Sequence, residues 1–200
     1  MDILELLKGQ LSPQLLDKMG DMIGGASREQ TAVASKTIAS ALISGLNKNA
    51  SSSPSALGSL VSALDRDHDG SVIDDAFGFI TGAMTSRNSN MFNGAGILQH
   101  ILGAKNTGVT NLVGRMTGLD NSKVGKLMLF LAPLVMGALG KARQTNNTSA
   151  IGKLLGQTVK SATEDKAQMG IIGSLLDRDG DGAVLDDIAS IGLNMLGKAF

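Results

Sequence analysis

LMLFLAPLVMGALG, residues 127–140, is the longest uncharged apolar run in the chain and is set between Lys126 and Lys141. How it is read decides the fold. A bilayer-spanning helix needs about 20 such residues, and this run has fourteen. We read it as the buried core helix of a soluble protein. It opens on an N-cap at Asp120, runs to about Arg143, and carries a kink at Pro133. The start MDILELLKGQ has acids at Asp2 and Glu5 and no basic residues before an apolar run. No secretory signal is therefore expected, and the expected location is cytoplasmic.

The rest of the chain reads in the same helical period. Ser12-Pro13 is an N-cap followed by a first-turn proline, opening a helix toward Ile23. Gly24-Gly25 can end it through a left-handed cap. Ser27 with Gln30 forms a capping-box pattern for a helix to about Lys48. SSSPS (51–55) and TNNTS (145–149) read as loops. No stretch alternates with period two in β-branched residues, so the expected fold class is all-α.

The chain also repeats itself. ILELLKG (3–9) aligns with ILQHILG (97–103) at an offset of 94. The same offset pairs Gly20, Met22 and Gly24 with Gly114, Met116 and Gly118. LDRDHDGSVIDD (64–75) matches LDRDGDGAVLDD (176–187) at an offset of 112. The 18 extra residues form an insertion around 157–172 of the second copy. Two tandem helical repeats are expected, 1–94 and 95–200, with the polar segment SRNSNMFNG (86–94) linking them. The spacings Gly20-x-x-x-Gly24 and Gly114-x-x-x-Gly118 fit either close helix packing or helix ends, and the sequence does not separate the two.

The residues with chemistry are in the repeated acidic stretch. Asp65, Asp67 and Asp69 alternate ahead of Gly70, and Asp177, Asp179 and Asp181 ahead of Gly182. Asp74 with Asp75, and Asp186 with Asp187, close the two stretches. A calcium ion needs several oxygens converging at about 2.3–2.6 Å. Carboxylates at loop positions 1, 3 and 5 can wrap one ion, and the glycine at 6 permits the sharp turn. Position 7 gives a backbone carbonyl, so its side chain is free to be Ser71 in one copy and Ala183 in the other. Such loops also make Asx turns and helix caps without metal. Five carboxylates in eleven residues, offset only by Arg66 or Arg178, favour a cation.

These loops resemble EF-hand and dockerin-type calcium loops. The two repeats together are similar to the bacterial domain-of-unknown-function family 937. That resemblance implies a helical, soluble bacterial protein and no activity. One departure stands out: an EF-hand closes with a bidentate Glu at position 12, and here that position is Ala76 or Ile188. Asp75 and Asp187 are the expected substitutes, with weak affinity, roughly 10⁻⁵ to 10⁻³ M. Magnesium fits an all-protein cage poorly and is the weaker alternative.

Composition narrows the remaining classes. Without cysteine the chain has no disulfide, thiolate metal site or cysteine nucleophile. With two histidines as well, zinc is not expected. Tyr and Trp are absent, so a base-stacking surface has little to be built from, and no nucleic-acid partner is expected. The motifs of a P-loop and of a nucleophile elbow are missing. The expected function is therefore non-enzymatic: Ca2+ ties a helix-loop-helix in each repeat. The alternative is a metal-independent helical scaffold that self-associates or meets a protein partner through a small-residue or Met-rich face, an idea motivated by the apolar 127–140 helix. His100, at the position of Leu6 in the first copy, reads as half-buried packing, and Met19, Met22, Met116, Met128 and Met136 as core filling.

The formal net charge is zero, from 18 basic and 18 acidic residues. The two acidic loops hold 10 of those acids and only two of the bases, which leaves 8 acids against 16 bases elsewhere. Neutrality is the sum of two concentrated negative segments and a basic helical body, so calcium loading would favour anionic surfaces as partners.

Overall fold

The computed structural model describes residues 3–52, 55, 58–60, 62, 94–144 and 149–162. Every element among them is helical, as expected. In chain order they are α1 (Ile3–Gln10), α2 (Pro13–Met22), α3 (Arg28–Ser52), α4 (Gly94–Ile101), a 3₁₀ turn (Gly103–Lys105), α5 (Asn106–Thr117), α6 (Asn121–Gln144) and α7 (Ser149–Ala162).

The helix starts follow from local chemistry. The Ser12 hydroxyl accepts from the Leu15 N–H at 3.2 Å, with Pro13 in the first turn. Ser27 and Gln30 form a reciprocal capping box, each bond 3.1 Å. The Asp120 carboxylate accepts from the Lys123 N–H at 2.9 Å. Each satisfies a first-turn donor that a bare helix would leave open. At the other end, Gly24 and Gly118 hold φ of +106° and +73°, the left-handed conformation that closes a helix. α3 runs on to Ser52, beyond the expected end near Lys48, because Asn49 to Ser52 keep the helical path and the Ser52 hydroxyl donates to the Asn49 carbonyl at 2.7 Å.

Two long helices organise the molecule. α3 and α6 pack on each other, and the shorter helices surround them. α3 meets α2, α4, α5 and α7, while α6 meets α1, α4, α5 and α7. Both are buried nearly all round, the property of a central helix. Residues 131–140 of α6 are buried without a break. By length and composition α6 could cross a membrane, yet 72% of its most apolar stretch is buried against the rest of the chain. In α3 the buried positions are mostly small, among them Ala34, Ser35, Ala39, Ser40, Ala41 and Gly45. A Cβ at Gly45 would stand 2.8 Å from the Ile101 side chain, so the glycine sets how closely α4 approaches. Ile3, Met19, Ile38, Leu42, Leu127, Leu131 and Ile151 belong to one continuous core that draws on both halves of the chain.

Some readings change here. Met19, Met128 and Met136 are core residues, but Met22 is 39% exposed at the last position of α2. His100 is exposed rather than half-buried, because its position on α4 turns away from α3 and α6. Gly94 is the first residue of α4, not the last of a linker. Its lack of a Cβ is required: one would lie 2.9 Å from the Leu129 carbonyl carbon and 3.0 Å from its Cα. Pro133, inside α6, has no N–H to offer that same Leu129 carbonyl.

Candidate functional site

The expected calcium ligands Asp65, Asp67, Asp69, Ser71, Asp74, Asp75, Asp177, Asp179, Asp181, Ala183, Asp186 and Asp187 lie outside the described residues. The chain leading into the first loop is anchored. Gly58–Leu60 and Ser62 are helical, the Ser59 hydroxyl donates to the Ser55 carbonyl at 3.0 Å, and Leu60 packs against the core five residues before Asp65. On the approach to the second loop, α7 buries Ile151, Leu154 and Leu155. Among the described residues no three His, Asp or Glu gather as a metal site would require.

Two described carboxylates, Asp17 and Glu29, act at helix ends. Asp17 on α2 accepts from the Arg28 Nε at 2.8 Å and from a terminal Arg28 nitrogen at 2.5 Å, joining α2 to the first turn of α3. This two-point contact keeps the Asp17 carboxyl below its ordinary value and raises Arg28. Glu29 is lowered by its own backbone N–H and then by the Ser27 hydroxyl, as suits an acid in a first helical turn.

The polar contacts that the sequence did not reveal join the two halves. Gln30 was legible only as a capping residue, and its Oε1 does accept from the Ser27 N–H. Its Nε2 is then free to donate to the Thr117 carbonyl at the end of α5, 2.9 Å away. Lys123, in the first turn of α6, sends Nζ to the Gly25 carbonyl just past α2, also at 2.9 Å. Asn49 Nδ2 reaches the carbonyls of His100 and Ile101, at 3.1 and 3.3 Å, near the end of α4. Capping-box spacing marks Gln30, but nothing local marks Lys123 or Asn49, because each partner is 51 to 98 residues distant.

These contacts bind the segments before and after residue 94 into one helical body, and the comparisons with known proteins agree in extent. No curated protein and no solved structure matches the chain. A family model described as "Bacterial protein of unknown function (DUF937)" matches residues 5–142 as a single span, from α1 into α6. That is more than two thirds of the chain and takes in α3 and nearly all of α6, so the protein belongs to this bacterial family.

Proposed function

We propose that the chain is a non-enzymatic calcium-binding protein of two equivalent helical repeats, in which Ca2+ joins helices across each acidic loop. The observation that carries this reading is the recurrence of LDRDxDGxVxDD at 64–75 and 176–187, with the side chains between the ligand positions free to differ. His68 becomes Gly180, Ser71 becomes Ala183 and Ile73 becomes Leu185, while all five aspartates return. Oxygen-rich, glycine-turned loops suit a hard, flexible-geometry cation. Asp75 and Asp187 stand in for the missing position-12 Glu, and Mg2+ is the weaker ligand. The scaffold alternative rested on the 127–140 helix as a surface, and that helix spends residues 131–140 inside the chain.

Calorimetry on chelator-treated protein tests the proposal. The expected result is about two ions per chain with dissociation constants of roughly 10⁻⁵ to 10⁻³ M. Asp67→Ala combined with Asp179→Ala should abolish both sites. No heat and no thermal shift at millimolar calcium would sink the reading.

A further inference from the structure

The two halves of the described body correspond element by element. Adding 94 to the bounds of α2 gives 107–116, against 106–117 for α5. Adding it to α3 gives 122–146, against 121–144 for α6. The correspondence extends to the close approaches at the helix ends, the connection in the second half being one residue shorter. A Cβ on Gly20 would stand 2.7 Å from the Ala26 carbonyl oxygen, and one on Gly114 would stand 2.9 Å from that of Leu119. In both halves a glycine lets the connection to the next helix fold back across the helix just ended. Four residues on, Gly24 and Gly118 take the left-handed conformation in both.

The contacts between the halves are reciprocal in place, at corresponding helix ends, though not between residues exactly 94 apart. Gln30, in the first turn of α3, donates to Thr117 at the end of α5. Lys123, in the first turn of α6, donates to the Gly25 carbonyl just past the end of α2. The long helix of each half thus holds the end of the other half's preceding helix. α1 lies on α6, and α4 lies on α3, so each first helix also meets the opposite long helix. α3 and α6 meet each other across the middle. Contacts in which i meets j and the equivalent of j meets the equivalent of i define an isologous, two-fold association. The relation is approximate, since α4 also packs on α6 and α5 on α3.

We propose that the chain is a covalently joined isologous pair, and that a second copy of this chain can supply either half, giving an exchanged dimer with the same internal contacts. Exchange of equivalent units between copies is a low-cost route to a dimer, because it requires no new interface. This inference rests on the repeat reading and not on the metal.

The test uses the full chain with a site-specific protease sequence inserted between Asn88 and Ser89, cut after folding. The two pieces should co-elute at the mass of the intact chain and keep its helical circular dichroism, with and without chelator. Two differently tagged cut samples are then mixed, unfolded and refolded together. The tag on the first piece of one copy should recover the second piece of the other. Gln30→Ala and Lys123→Ala should each raise the dissociation midpoint of the cut pair by a similar factor, about two- to tenfold. Uncut chain refolded at high concentration should contain a dimer that redissolves to monomer only through unfolding. Pieces that separate or unfold on cutting, or that pair only when calcium is present, would overturn the proposal. So would pieces that stay folded singly without exchanging. Calcium titration of the same sample reads the metal proposal separately, since pairing is scored in chelator.

Discussion

At the scale of single residues, the glycines show how one residue type serves distinct physical needs. Gly24 and Gly118 are required by backbone conformation, and Gly20 and Gly114 by space. Gly125, in α6, has nothing within 4 Å of where a Cβ would go and no positive φ. Gly20→Ala and Gly114→Ala should each cost about 1–3 kcal/mol through overpacking against backbone. Gly125→Ala should instead stabilise by about 0.5–1 kcal/mol, by removing chain freedom from the unfolded state and improving helix propensity. Denaturant melts of the three variants would read the difference, and equal effects would refute the distinction. A second contrast concerns buried hydroxyls. Thr31 and Thr37 donate to the Ser27 and Val33 carbonyls at 2.9 Å, whereas Ser35 Oγ and Thr158 Oγ1 are buried with no hydrogen-bond partner among the described residues. Thr158→Val keeps the shape and removes the unpaired group, so its melting temperature should be unchanged or higher by the equivalent of about 1 kcal/mol.

At the scale of elements, much was legible because helix ends are decided by neighbours in sequence. Ser12-Pro13, Ser27 with Gln30, and Asp120 all cap the helices they were expected to cap, since a cap bond spans only three residues. The far end of α3 was not legible. Asn49 at its last turn is fastened to His100 and Ile101, and this tertiary contact accompanies the helix as far as Ser52, into the serines that look like a loop. Replacing Asp120 by Ala should cost about 1 kcal/mol and fray the first turn of α6, visible as faster amide exchange at 122–124. The α2–α3 corner adds a pH dependence. Asp17 titrates lower in the folded chain than in the unfolded one because Arg28 favours its charged form. Its contribution is therefore complete above the unfolded-state pKa and disappears as pH falls through the folded-state pKa. Asp17→Asn should melt earlier than the parent at neutral pH and coincide with it in strong acid. A gap that widens toward acid would contradict that sign.

At the scale of the whole molecule, α3 and α6 join the described residues before and after 94 in one core. Leu131 on α6 is fully buried in a core shared by residues from Ile3 to Leu155. Leu131→Ala should cost about 2–5 kcal/mol. Because the core is shared, amides of α2 and α5 should lose exchange protection together, in a single unfolding transition. Protection lost only after residue 94 would show that the halves unfold independently.

The sequence by itself determined the all-helical character, the helix N-caps and the core placement of most of the 127–140 run. Each of these depends on local spacing or on hydrophobic period, which a linear string records in full. Only the tertiary structure decided that the two halves share one core, with α3 packed on α6, and which glycine of each Gly-x-x-x-Gly caps and which packs. It also decided that Gln30 and Lys123 reach across to the end of the opposite half's helix. The reason is physical: a carbonyl at a helix end is a partner for any donor that arrives there, and nothing in the neighbouring residues states which donor that will be.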